Sequence, residues 1–353
     1  MMTFGANHYV PVLKVKLGEK AALGRVAPNL KARITPLLQI VERTDKNLTA
    51  HLNTAFKGLG PNLVGYSRCF IDACELEPDG SAGATAVFQR AAGLGIVFTP
   101  VTGVSRVADV AAALAHRQSG LALRMTRDEF EHGDLSQRVN AFLSTHALSA
   151  EEVDAIVDLG AVDDMIPEGV AAFAQAFLAE IPHQQSWRTV TLSACSFPTS
   201  MGIVDRHSHE LVERGDWLAW RNSLYAAMHD LARLPTFSDY GIQHPTGVEG
   251  FDFRIMQVSA TIRYTLDEHW LLVKGESTRS TRPGEQFPQI ATRLVYGHLQ
   301  SYFAGAQHCA GCNGIKAAAD GAPRYGSAGA WRKLGTIHHL SQVIHSLDAL
   351  PWP

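Results

Sequence analysis

Tyr9-Val-Pro-Val-Leu-Lys-Val-Lys16 is a short apolar run, followed by a helical pattern over about 19–32 and a second run, Ile34-Thr-Pro-Leu-Leu-Gln-Ile-Val41. The unit then recurs. Leu63-Val-Gly-Tyr-Ser-Arg-Cys-Phe-Ile-Asp72, Gly95-Ile-Val-Phe-Thr-Pro-Val101 and Gly120-Leu-Ala-Leu-Arg-Met125 continue it. Val153-Asp-Ala-Ile-Val-Asp-Leu159, Thr189-Val-Thr-Leu-Ser-Ala-Cys195 and Thr236-Phe-Ser-Asp-Tyr-Gly-Ile242 bring the number of strand-length runs to eight. Most gaps hold alanine- or leucine-rich helical segments, such as 104–118, 134–145 and 169–181. Strands alternating with helices mean a parallel sheet. Eight repeats fit a closed barrel, which leaves no exposed edge. An open doubly wound sheet calls for a glycine-rich turn after the first strand, and Lys16-Leu-Gly18-Glu19 offers a single glycine. The expected fold is therefore α/β, a (β/α)₈ TIM-barrel-like unit over residues 1–250.

Beyond residue 250 the period changes. Met256-Gln-Val-Ser-Ala-Thr-Ile-Arg-Tyr-Thr-Leu266 and His269-Trp-Leu-Leu-Val-Lys-Gly275 alternate around Asp267-Glu268, which predicts a β-hairpin. A polar loop with Arg279 and Arg282 follows, then helical patterns over 289–304 and about 337–347. Residues 251–353 are expected to pack on the barrel mouth, in one structural unit with it.

Composition narrows the function classes. The 353 residues are 46 % hydrophobic, enough for a sizeable core. With 31 basic and 34 acidic residues no global field draws the chain onto duplex nucleic acid. Five irregularly spaced cysteines make no disulfide framework and fit a reducing compartment. The first residues carry no basic n-region and no apolar run, and no stretch is long and apolar enough for a membrane span. A cytoplasmic location is expected. P-loop, HExxH, GxSxG, zinc-deaminase and EF-hand signatures are all absent from the sequence.

A barrel works at the C-terminal ends of its strands, so polar residues late in the runs are the candidates. Lys14 and Lys16 share parity, Asp72 ends its run, Arg124 and Asp158 lie late in theirs, and Asp239 stands in the eighth beside Tyr240. Carboxylates and cations converging on one mouth can bind an anion, move protons or hold a metal. The same set equally makes a buried ion-pair network that only fixes the mouth. Near the end stands Gly326-Ser-Ala-Gly-Ala-Trp331-Arg332-Lys-Leu-Gly335-Thr-Ile-His338-His339. Trp331 and Arg332 suit an aromatic platform and an anion clamp, and His338 and His339 an acid or base. This segment is expected to lie over the mouth as a lid, its glycines making tight turns. His308-Cys-Ala-Gly-Cys312 reads as half a zinc site, which one histidine of the 338–339 pair can complete. A small helical turn with incidental cysteines is the reading preferred from sequence, with no metal assigned and no cofactor legible.

Five motifs in order resemble the phage-type "beta protein" family over essentially the whole chain. They are the opening Tyr9-Val-Pro-Val-Leu-Lys-Val-Lys-Leu-Gly-Glu19, Ser196-Phe-Pro198, Asp239-Tyr-Gly-Ile-Gln-His-Pro245, Ala260-Thr-Ile-Arg-Tyr264 and Trp331-Arg-x-x-Gly-Thr-x-His-His339. The resemblance implies a barrel-like fold and a setting of phage conflict or defence, without a reaction. It carries over Lys14, Lys16, Asp239, Tyr240, Gln243, His244, Arg263, Trp331, Arg332, His338 and His339. Relatives differ where this chain has Gln39 and where it has the 308–312 block. The expected function is binding of a small anionic, nucleotide- or phosphate-bearing ligand in the mouth, with hydrolysis left open. In that reading Asp72, Asp158, Asp239, His338 and His339 are the catalytic candidates. Lys14, Lys16, Arg124, Tyr240, His244, Arg263, Trp331 and Arg332 are the ligand-binding ones. The alternative is a non-catalytic module that recognises a phage or host protein, or nucleic acid, in a defence assembly through the hairpin, Arg279 and Arg282.

Overall fold

The computed structural model describes residues 3–43, 47–246, 259–277, 283–323 and 325–352. The eight apolar runs form parallel strands: β1 Val12–Lys14, β2 Leu37–Gln39, β3 Cys69–Asp72, β4 Phe98–Thr102, β5 Leu121–Thr126, β6 Val153–Ala161, β7 Thr189–Cys195 and β9 Thr236–Asp239. They pair in the order β1-β2-β3-β4-β5-β6-β7-β9. A parallel bridge between Tyr9 and Phe237, with Val10 N–H donating to the Phe237 carbonyl at 3.2 Å, joins the two ends into a barrel.

Side-chain alternation sorts each strand into two environments. Val10, Val12, Leu37, Phe70, Val101, Ala122 and Ile156 fill the interior, while Leu13, Leu38, Ile71, Leu123 and Val157 face outward into the helical layer. Both faces are buried, so the strands read as nearly continuous apolar runs.

Helices follow the strands in turn, among them Leu17–Leu23, Leu48–Phe56, Gly80–Gly93, Val107–Ala115, Leu135–Thr145 and Pro167–Glu180. Helix Ala328–Asp348 completes the outer layer. It lies beside Leu17–Leu23, and its Leu340, Val343, Ile344 and Leu347 join Tyr9 and Leu13 in the outer core. Its first turn stands at the mouth, and its last turn reaches the opposite end, where Asp348 pairs with Arg33.

This corrects two expectations. The helix begins at Ala328, capped by Ser327, whose Oγ accepts from Ala330 N–H at 3.3 Å, well before the expected 337. It is a wall element rather than a lid, and Gly329 and Gly335 lie inside it rather than in turns. Gly335 serves close packing instead: a Cβ there would stand 2.8 Å from Ile242 Cδ1 and 2.9 Å from the Arg263 carbonyl oxygen. The expected helix over 289–304 is also shifted, to Pro283–Val295 with a short 3-10 turn at Gln300–Tyr302, and a further helix follows at Ala310–Ala319.

The hairpin forms as β10 Ser259–Thr265 and β11 His269–Ser277. A strand not expected from sequence, β8 His209–Glu213, pairs antiparallel with β11 to make a three-stranded sheet. Five residues with exposed glutamates carry little signal, and their partner lies far ahead in the chain. Trp270 and Leu272 from β11 pack with Phe197, Tyr240 and Ile242. The hairpin sheet thus shares the barrel's interior core. Among the described residues no helix is long and apolar enough to cross a membrane.

Candidate functional site at the barrel mouth

Three inward residues late in their strands, Asp72, Arg124 and Asp158, meet beneath the mouth. Arg124 donates from Nη1 to Asp72 Oδ2 at 2.6 Å, from Nε to Asp158 Oδ2 at 2.8 Å and from Nη2 to the Tyr240 hydroxyl at 2.8 Å. Tyr240 in turn donates to Asp158 at 2.7 Å. Arg106, from the loop after β4, donates to the other Asp72 oxygen at 2.7 Å and pairs with Asp109. Burial works against ionisation of Asp72, yet Arg106 and Arg124 hold its carboxyl down to about 2. The network is closed and largely buried, with the three carboxylates Asp72, Asp109 and Asp158 set around two arginines. Arg124 is therefore committed to carboxylates and offers no charge to a ligand. Sequence reasoning missed Arg106, whose role depends on a loop reaching across from β4 to β3.

The rim on the β1 and β9 side has the opposite character. Lys14 pairs with Glu75 at 2.8 Å, and the Gln39 amide also donates to Glu75 at 2.6 Å. Lys16, two residues on, hydrogen-bonds through its backbone, and its side chain has no hydrogen-bond or ion-pair partner among the described residues. Partial desolvation lowers its pKa first, then Lys14 and Arg332, against Glu19 and Glu75. Arg332, from the first turn of the C-terminal helix, donates to Gln243 Oε1 at 3.1 Å and stands 3.6 Å from Glu19. Arg263 donates to the Ile242 carbonyl at 2.6 Å and lies over the Phe197 ring at 5.1 Å, with no carboxylate partner among the described residues. Burial and then Arg332 press its pKa well below the usual value. His244 joins Thr246 at 2.8 Å and Asp163 at 3.3 Å, tying the loop after β9 to that after β6. Trp331 stays off the mouth, packing on Phe287 with ring centroids 5.3 Å apart and donating to the Tyr325 carbonyl at 2.6 Å.

Asp239 is not at the mouth. Tyr240 faces inward, so its neighbour must face out, a parity already visible in the sequence. The Asp239 carboxylate lies between the barrel wall and the C-terminal helix. There it accepts from Tyr9 OH at 2.5 Å, from His339 Nε2 at 3.0 Å and from Gly241 N–H at 2.9 Å, with Arg214 at 3.8 Å. His339 Nδ1 accepts from Thr265 Oγ1 at 2.9 Å. Both residues are buried, and the imidazole is held neutral by burial, which outweighs the pull of Asp239. The pair fastens the helix to the wall.

These buried groups set a pH dependence. Burial, Arg33 and Arg68 hold His8 at about 3, and His339 is also lowered, so an unfolded chain takes up protons at both below about 6.5 while the fold does not. Their stability is present above that pH and lost as pH falls. Asp216, pushed to about 6 by burial and then by Asp239, acts in reverse, losing its contribution as pH rises through about 6. Two histidines outweigh one carboxyl, and the urea midpoint should fall from pH 7 to pH 5. Asp216→Asn should steepen that fall, and a flat profile would contradict the assignment.

His338 points away from His339, as adjacent helical residues must. It faces Cys309 and Cys312, with Nδ1 at 3.8 Å and 3.2 Å from their sulfurs, and its Nε2 lies 2.7 Å from the Thr265 carbonyl oxygen. The two cysteines of the 308–312 block stand on the helical turn expected there, at the start of helix Ala310–Ala319, and are brought together with one histidine. Arg279 and Arg282 lie outside the described residues.

Fold and site together define a closed (β/α)₈ barrel whose throat is sealed by a buried ion-pair network and whose rim carries surplus cations. The chain belongs to the Beta protein family, whose sequence model matches residues 9–345. It matches no curated protein.

Proposed function

We propose that the protein binds a small phosphate-bearing anion, of the size of a nucleotide, at the β1 and β9 side of the barrel mouth. The observation that carries this is the charge imbalance there. Lys14, Lys16, Arg263 and Arg332 crowd together with Glu19 and Glu75 as their acidic neighbours; burial lowers the pKa of Lys16, Arg263 and Arg332, and neighbouring cations add to the shift at Lys16 and Arg263. Partly desolvated like charges cost stability unless a ligand uses them. Two guanidinium groups present planar donor forks suited to phosphate oxygens. Lys16 adds a compact point charge, and Gln243 holds Arg332 in place.

Asp72 and Asp158 are locked by arginines, and Asp239 and His339 are buried in the wall. The reading is therefore anion recognition, with hydrolysis left to groups the ligand itself would bring near. The phage-type resemblance of the motifs supports a setting in phage–host conflict, and five free thiols support a reducing, cytoplasmic compartment.

Thermal-shift titration with inorganic phosphate, pyrophosphate and nucleoside mono-, di- and triphosphates tests the proposal. A bound anion at ~100-fold over its Kd adds roughly 2.7 kcal/mol of stability. Lys16→Gln and Arg332→Gln should each weaken binding at least about tenfold, while in Lys16→Gln the ligand-free melting temperature stays level or rises because repulsion is relieved. If none of these anions shifts the wild type, the proposal fails.

A further inference from the structure

Cys309 is the N-cap of helix Ala310–Ala319, and its Sγ accepts from Cys312 N–H at 3.3 Å. The two-residue spacer places both sulfurs on the same side of that first turn. Two glycines let this turn approach the C-terminal helix. A Cβ on Gly311 would stand 2.4 Å from the Leu334 carbonyl oxygen and 2.9 Å from His338 N, and one on Gly314 would stand 2.4 Å from Leu334 Cδ2. Only at that separation do the sulfurs reach His338.

The imidazole arrives in a defined tautomer. With Nε2 2.7 Å from the Thr265 carbonyl oxygen, that nitrogen must carry the proton, and the lone pair of Nδ1 is directed at the sulfurs. Tyr264 stacks on the ring at 3.8 Å between centroids. Its hydroxyl accepts from Ala304 N–H at 2.9 Å and has its own proton left for Cys312 Sγ at 3.3 Å. Each ligating atom therefore has a supporting group of the kind that orients metal ligands.

The three ligand atoms lie within 4.8 Å of one another. Tetrahedral zinc with ordinary Zn–S and Zn–N lengths requires S···N separations of about 3.5 Å. The observed 3.2 and 3.8 Å bracket that value. The residue before Cys309 stands nearby with a free ring nitrogen: the His308 ring centroid is 5.3 Å from that of His338, and its buried Nε2 has no hydrogen-bond partner among the described residues.

We propose that Cys309, Cys312 and His338 bind a zinc-class divalent metal ion in a tetrahedral site that His308 completes by rotating toward the sulfurs. Two thiolates and two imidazoles select a borderline-soft ion over magnesium or calcium. With all four positions taken by protein, the site is structural. It ties the hairpin, through Thr265 and Tyr264, to helix Ala310–Ala319 and to the C-terminal helix, and so fixes the turn that carries Arg332.

Metal content of protein purified under reducing conditions without chelator, measured by inductively coupled plasma mass spectrometry, gives the first readout. About one zinc per chain is expected, released by an organomercurial thiol reagent. Cobalt added to metal-free wild type should produce the intense near-ultraviolet thiolate-to-cobalt charge-transfer band, and zinc should displace it. Cys312→Ser and His338→Asn should lose or greatly weaken the metal, whereas Cys69→Ala should keep it. Should a variant fail to fold, the wild-type cobalt spectrum and mercurial release still decide. His308→Ala should retain the charge-transfer band with affinity lowered about tenfold or more; unchanged affinity would remove His308 from the set. Reduced wild type that holds no zinc and gives no charge-transfer band would overturn the site. So would a Cys309–Cys312 disulfide in metal-free protein that reduction and zinc do not convert.

Discussion

Arg124→Met should destabilise the protein by about 3–5 kcal/mol, the usual cost of removing one partner from a buried ion pair. Asp72 is fully buried and would keep Arg106, but Asp158, 3 % exposed, would keep only the Tyr240 hydroxyl and the Gly160 amide. Urea unfolding at pH 7 measures the loss. The sign of its pH dependence is diagnostic. The stranded Asp158 carboxyl would have a raised folded pKa, so the deficit of the variant should shrink as pH falls and the group protonates. Asp158→Asn in the same background should recover much of the loss. A deficit below about 1 kcal/mol would mean that the throat network is not the interlocked, buried unit described.

An effect of similar size but without rescue by pH is expected at the other end of the barrel. Asp154 is fully buried and accepts from Arg68 Nη1 at 2.6 Å, from Arg188 Nε at 2.9 Å and from Thr189 Oγ1 at 2.7 Å. Gly120, with φ of 93°, makes room for the Arg188 guanidinium, which would meet a Cβ at 1.8 Å. Asp154→Asn would strand two buried guanidinium groups and should also cost about 3–5 kcal/mol. No accessible pH neutralises arginine, so neither acid nor mild alkali should rescue this variant. Recovery at low pH would show that Asp154 is not the charge that balances Arg68 and Arg188.

The two networks differ in how far the sequence exposed them. Asp72, Arg124 and Asp158 end their apolar runs, where a barrel mouth is expected, and strand parity turns them inward. Asp154 shares parity with Asp158, so its inward direction was equally open to reading. Its arginines were not: Arg68 precedes β3 and Arg188 precedes β7, and only barrel closure brings them to one carboxylate. Asp239 shows the reverse case. It stands beside Tyr240, only one of the two can face the interior, and emphasis on strand ends placed both there. The C-terminal helix misled for a different reason. A glycine-rich, weakly amphipathic opening conceals a helix start when Gly329 and Gly335 serve close packing rather than turns.

The sequence by itself pointed to the barrel, because strand and helix periodicity are local properties, and eight repeats favour closure over an open parallel sheet. It also determined which strand residues can face the throat, since alternation needs no knowledge of partners. Tertiary structure alone decided which charges are matched and which are surplus. Arg124 is neutralised while Lys16, Arg263 and Arg332 are left crowded at the rim, a balance set by loops and by a helix far along the chain. It alone sent His338 and His339 to opposite tasks, one to the cysteine pair and the other to Asp239. Charge pairing and ligand convergence are sums over distant contacts, and those distances exist only once the chain has closed on itself.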